Sequence, residues 1–152
     1  MTDKTPTESR NKTIYLLPNL FTTAALFAGF YAVITAMLGS YEKSVVALII
    51  AGCLDGLDGR IARMTNTQSE FGTQYDSMSD LVAFGVAPSL VAFTWSMHFA
   101  GKFGWVAAFI FVACAAIRLA RFNVQIEKTD PNYFIGLPSP AAAGTLASAV
   151  WL

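Results

Sequence analysis

Five predominantly apolar stretches, residues 14–38, 44–63, 81–99, 103–117 and 137–152, take up most of the chain and restrict it to one kind of fold. A hydrocarbon core roughly 30 Å thick is crossed by about 20 helical residues. Inside lipid each backbone N–H and C=O needs an internal partner, which a helix supplies. The runs therefore predict an all-α, multi-pass transmembrane bundle of five spanning helices, the last open-ended at Leu152 with a sixth or more expected beyond it. Composition agrees, since 55% of residues are hydrophobic and 13% charged, with a mean hydropathy of +0.50. Soluble domains carry about a quarter charged residues. A polar tail, 1–13, precedes a first run too long for a signal-peptide core, so residues 14–152 read as one retained membrane domain.

Within this plan Pro18 is a kink or break in helix 1. Helix 2 runs over about 44–64 and a polar turn follows at Asn66. Helix 3 starts near Ser69 or Phe71 and bends at Gly85 and Pro88. Cys53 and Cys114 lie in apolar runs and read as two buried thiols, not a disulfide or a metal pair. Trp95, Phe99, Phe103 and Trp105 form an interfacial belt, beside which His98 takes no role.

The basic residues are sorted by side. If the helices alternate, Lys4, Arg10, Lys12, Arg60, Arg63, Arg118, Arg121 and Lys128 share one face of the membrane, and Lys43 and Lys102 the other. Positive charge marks the cytoplasmic side.

On that side four aspartates interrupt the apolar pattern. Asp55 and Asp58 stand at i and i+3, with Gly59, Ala62 and Arg63 on the same helix face, and Asp76 and Asp80 stand at i and i+4 with Gly72 one turn earlier. A charge inside a membrane helix costs a few kcal/mol, about 2.5–3.5 by insertion scales, so such residues point to function. Carboxylates facing one another in a low dielectric either take up protons or require cations. With no His or Cys in the set, oxygen donors suit Mg²⁺ or Mn²⁺, and two such ions can clamp a diphosphate. Arg63 offers a fork for phosphate and the glycines allow a ligand to approach closely. The alternatives are structural Asp–Arg pairing with glycine packing, and an ion-coupled transport path.

The motif Asp55-x-x-Asp58-Gly59-x-x-Ala62-Arg63, followed after eight residues by Gly72-x-x-x-Asp76-x-x-x-Asp80, resembles the signature of the CDP-alcohol phosphotransferases. The stretches "LLPNLFTTAALFAGF", "FGTQYDSMSDLVAFGVAPS", "AAIRLARFNV" and "FIGLPSPAAA" resemble the membrane-embedded phosphatidylserine synthases of that family. The resemblance implies that Asp55, Asp58, Asp76 and Asp80 bind the ions and that Asp80 is also the general base. It implies that Gly59, Ala62 and Gly72 lie against the nucleoside, that Arg63 holds the diphosphate, and that Asn19 and Thr22 neighbour the nucleotide unless they only cap or pack helices. The donor would be CDP-diacylglycerol and the acceptor L-serine, with glycerol 3-phosphate, inositol phosphate or choline as alternatives. Arg118 and Arg121, at i and i+3, would bind the acceptor carboxylate or else serve as ordinary cytoplasmic anchors. A homodimer is also implied.

Overall fold

The computed structural model describes residues 6–65, 69–126 and 139–151, with side-chain surroundings within 17–62, 64–65, 69–124 and 143–151. Five helices appear: α1 Pro6–Met37, α2 Tyr41–Thr65, α3 Glu70–Trp95, α4 Lys102–Ile126 and α5 Ser139–Trp151, with a short 3-10 turn at Met97–Ala100 before α4. No strand occurs among the described residues. Among the described residues, three segments are long and apolar enough to cross a membrane: Leu17–Met37, Glu70–Trp95 and Lys102–Val124. Helix α2 has the length, at 25 residues, but carries Asp55, Asp58 and Arg60 in its second half, and the described part of α5 has 13 residues.

Helix α1 starts at Pro6, not near residue 14, so part of the polar tail is already helical. Hydropathy senses lipid and not backbone geometry, which explains the difference. The helix continues through Pro18, whose carbonyl accepts the Thr22 hydroxyl at 3.0 Å. It stops at a glycine: Gly39 takes φ +77°, and the amides of Gly39 and Ser40 close back on Ala36 and Thr35 at 3.0 and 2.9 Å. This Schellman closure satisfies the last carbonyls and turns the chain straight into α2.

Helices α1 and α2 are antiparallel and tied at both ends. Thr35 Oγ1 meets Ser44 Oγ at 2.8 Å, and Thr22 Oγ1 donates to Asp58 Oδ2 at 2.7 Å. Helix α3 runs parallel to α1, with Asn19 beside Gly72, Thr23 Oγ1 2.8 Å from Tyr75 Oη, and Gly29 against Ala83. Helix α2 packs on α3 chiefly from Leu81 onward, and reaches Glu70–Asp80 at the Asp55–Asp80 pair. The two halves of the aspartate motif are thus joined chiefly through α1.

Helix α3 itself is interrupted. Ser69 caps it by accepting the Gly72 amide at 3.0 Å, and directly after Asp80 the segment Leu81–Val86 is π-helical, with the Ala87 amide reaching back to Val82 O. Pro88 has no amide to offer Phe84 O, and Gly85 lets α4 approach through Ala115, so the expected bend takes the form of a widened turn.

The packing is that of a membrane protein. Ala32, Ala36, Ala47, Ala51, Ala83 and Ala87 fill the interior, while Phe27, Phe30, Leu38 and Ile49 are exposed. Lipid solvates large apolar side chains as well as a core would, so small residues go inside where they let helices close. Cys53 and Cys114 correct the expectation of burial, because both are free and exposed. Their apolar neighbours reflect a lipid-facing surface.

Candidate functional site

The site lies where the lower half of α3 leaves α2 while both remain against α1. Register follows from the ties already described. Thr22 faces Asp58, so Asp55 lies about one turn farther along α1; Asn19 faces Gly72, so Asp76 and Asp80 lie one and two turns along in the same direction. Asp55, Asp76 and Asp80 accordingly converge, each offering a carboxylate oxygen within 4.8 Å of the others. Asp55 and Asp80 touch directly.

Asp58 stands beside this trio and not within it. Only 4% of it is exposed, and Oδ2 is taken by the Thr22 hydroxyl. Its charge still reaches Asp76 and Asp80. Thr22 thus has a definite function, holding a buried carboxylate by a charge-assisted bond across α1 and α2.

The donor set suits a hard divalent cation. The three converging groups offer oxygen only, and the 4.8 Å limit is close to the about 4.2 Å that opposite ligands of Mg²⁺ span. One oxygen, Asp76 Oδ1, is buried without a hydrogen-bond partner. Like charges at the spacing of Asp55, Asp76 and Asp80 repel, so the geometry calls for a positive ligand.

The expected neighbours divide. A Cβ on Gly59 would meet no atom within 4 Å, so α2 is open beside Asp58. A Cβ on Gly72 would come within 3.0 Å of Ser69 Oγ and 3.5 Å of Asn19 Oδ1, so this glycine serves close packing of α1 on α3 and brings Asn19 to the cleft edge. Ala62 is half-buried one turn beyond Asp58. Arg63 lies in α2, but its side chain falls outside the described residues, as do Lys4 and Lys128.

Helix α4 closes the other side of α3. Asn123 Nδ2 donates to Ser77 Oγ at 2.9 Å, and a Cβ on Gly85 would lie 3.4 Å from Ala115 Cβ. That antiparallel register sets Arg118 within a turn of the level of Asp80. Arg118 shares a face with Ala115 three residues earlier and is half-buried, whereas Arg121 is turned off that face and exposed. The structure therefore separates two arginines that spacing alone treats alike. The Ser77–Asn123 and Thr23–Tyr75 ties were not anticipated, although both sit in the stretches that carry the resemblance.

Residues 15–152 match the family model described as CDP-alcohol phosphatidyltransferase. Among curated proteins, the chain is 45% identical over 130 residues to the CDP-diacylglycerol–serine O-phosphatidyltransferase of Helicobacter pylori, covering 86% of this chain and 55% of that protein. It is 37% identical over 143 residues to the protein of that name from Mycobacterium tuberculosis, covering 91% and 50%. With the one from Methanocaldococcus jannaschii the identity is 40% over 111 residues, covering 73% and 52%. The chain spans about half the length of the curated relatives it matches.

Proposed function

The chain belongs to the CDP-alcohol phosphatidyltransferase family, and from that membership we propose that it moves the phosphatidyl group of CDP-diacylglycerol onto the hydroxyl of L-serine, giving phosphatidylserine and CMP. The observation that carries the reading is the convergence of Asp55, Asp76 and Asp80, with Asp58 beside them and bonded to Thr22 of α1. Relatives named for serine transfer support the choice of acceptor.

Asp55, Asp58, Asp76 and Asp80 would hold Mg²⁺ or Mn²⁺, in two sites. When bound, such an ion neutralises the diphosphate and stabilises the charge on departing CMP. The residues do the rest. Gly59 leaves room beside α2 for the nucleoside, with Ala62 and the Asn19–Gly72 edge as its further walls, and Arg63 holds the diphosphate. Arg118 orients the serine carboxylate, with Arg121 as a more distant cation. Asp80 accepts the proton of the serine hydroxyl as its oxygen bonds to the β-phosphorus; the bond from that phosphorus to the bridging oxygen breaks, and CMP leaves with the oxygen.

The basic-residue asymmetry supports a cytoplasmic position for this end of the bundle, where water-soluble serine is available and the donor's acyl chains stay in the adjoining leaflet. Residues 14–152 form the catalytic membrane domain of a homodimer in a prokaryotic inner membrane.

The test is purified protein with Mn²⁺ or Mg²⁺, CDP-diacylglycerol, and labelled serine, glycerol 3-phosphate, inositol phosphate or choline in turn, scored for CMP. Release with serine alone is expected. CMP with a different acceptor overturns the serine assignment, and none with any acceptor overturns the enzyme.

A further inference from the structure

Hydroxyls in these helices usually return to their own backbone. Thr35, Thr73, Ser77, Ser89 and Thr94 each donate to a carbonyl three or four residues earlier, at 2.8 to 3.1 Å. Ser79 does not. It is only 3% exposed, and its Oγ has no hydrogen-bond partner among the described residues. A hydroxyl shut away from solvent and bonded to nothing is unfavourable, so the position calls for an acceptor.

One is at hand, because Asp76 Oδ1 is likewise buried and unpartnered and Asp76 precedes Ser79 by three residues on the same face of α3. Side chains on a helix lean toward its N-terminus, so Ser79 covers the turn that Asp76 occupies. Cβ atoms at this spacing are about 5–6 Å apart, which a serine hydroxyl and an aspartate carboxylate bridge with a hydrogen bond after rotation about χ1 alone.

We infer that Ser79 is a positioning residue of the ion site: its hydroxyl donates to Asp76 Oδ1 and fixes the carboxylate plane so that Oδ2 faces Asp55 and Asp80. The inference rests on these carboxylates holding a divalent cation. It is independent of which alcohol the protein uses. A ligating carboxylate left free to rotate binds its ion less well, and removal of such outer partners costs about 10–100-fold in metal affinity.

The experiment is titration of purified, detergent-solubilised protein with Mn²⁺ alone, followed by the loss of the free-ion electron paramagnetic resonance signal, without nucleotide or lipid donor. Ser79→Ala is expected to weaken Mn²⁺ binding about 10–100-fold. Ser79→Thr, which keeps the hydroxyl, should restore most of the affinity. Wild-type affinity in Ser79→Ala overturns the inference, as does equal weakening in the alanine and threonine variants. If the alanine variant does not fold, the near-isosteric Ser79→Cys serves the same reading, with wild-type affinity again refuting it. Mn²⁺ binding by a wild-type protein that releases no CMP would end the transferase reading and leave this one standing; a wild type that binds no Mn²⁺ ends this one.

Discussion

Substituting Gly29 probes whether α1 holds the site together. A Cβ built there lies 2.8 Å from Ala83 Cα and 3.1 Å from Ala83 Cβ. Carbon atoms rest at about 3.5–4.0 Å, so Gly29→Ala must part the helices locally by about 0.7 Å, the 3.5 Å lower bound less the 2.8 Å observed. The obstructing atom is backbone, which cannot swing aside. Farther down, α3 is held to α1 by the Thr23–Tyr75 bond, so the opening tilts α3 about that tie, with Asp76 and Asp80 between the tie and the crowded contact. Overpacking of this kind costs about 1–3 kcal/mol. Alanine also gains helix propensity, and Gly144→Ala, whose Cβ meets nothing within 4 Å, measures that gain alone. At about 2–4 °C per kcal/mol for a chain of this size, Gly29→Ala should melt about 2–12 °C below Gly144→Ala in the same detergent. It should also bind Mn²⁺ more weakly, because Asp55 follows α2 and α1 while Asp76 and Asp80 follow α3. If Gly29→Ala matched Gly144→Ala in both melting temperature and Mn²⁺ affinity, α1 would not be the wall argued for here.

Thr22→Val keeps the shape but removes the donor to Asp58 Oδ2, and should destabilise the protein by about 1.5–3 kcal/mol, read by thermal melting in chelator; an unchanged melting temperature would mean that the bond contributes nothing. Asp80→Asn should lower CMP release by about 10²–10⁴-fold while CDP-diacylglycerol still binds, and normal turnover would remove Asp80 from the base role. Arg118→Ala should raise the serine KM with donor binding little changed, and Arg121→Ala should raise it less; equal effects would contradict the face assigned to each from the α3–α4 register.

What could be read ahead of the structure follows from periodicity. Spacings of three and four residues fix a helix face wherever the helix lies, so Asp55, Asp58, Asp76 and Asp80 were recognisable as one facing set before their partners were known, and the structure brings three of them, Asp55, Asp76 and Asp80, within 4.8 Å. Apolar runs located every helix, yet they misjudged Cys53 and Cys114, because in lipid an apolar run does not distinguish interior from surface. The contacts made by α1 left no such trace. Thr22 in an apolar helix resembles any back-bonded threonine, and its second partner, Asp58, lies 36 residues away. Ser79 was also hidden, since its interest lies in a bond it fails to make with its own backbone.

The open cleft has a structural cause in the same helix. If α2 and α3 packed together along their full lengths, the aspartates would be sealed between them and no head group could enter. Instead α2 packs on α3 chiefly from Leu81 onward, apart from the Asp55–Asp80 contact, and below that point each lies on α1, through Thr22–Asp58 on one side and Asn19–Gly72 with Thr23–Tyr75 on the other. The change occurs just after Asp80, where the π-helical turn Leu81–Val86 begins. Inserting one residue's worth of backbone into a helix rotates everything beyond it by about 100° relative to an unbroken α-helix. Ala83 and Ala87 lie in the packed interior, and Asp76 and Asp80, only a turn or two below, converge with Asp55.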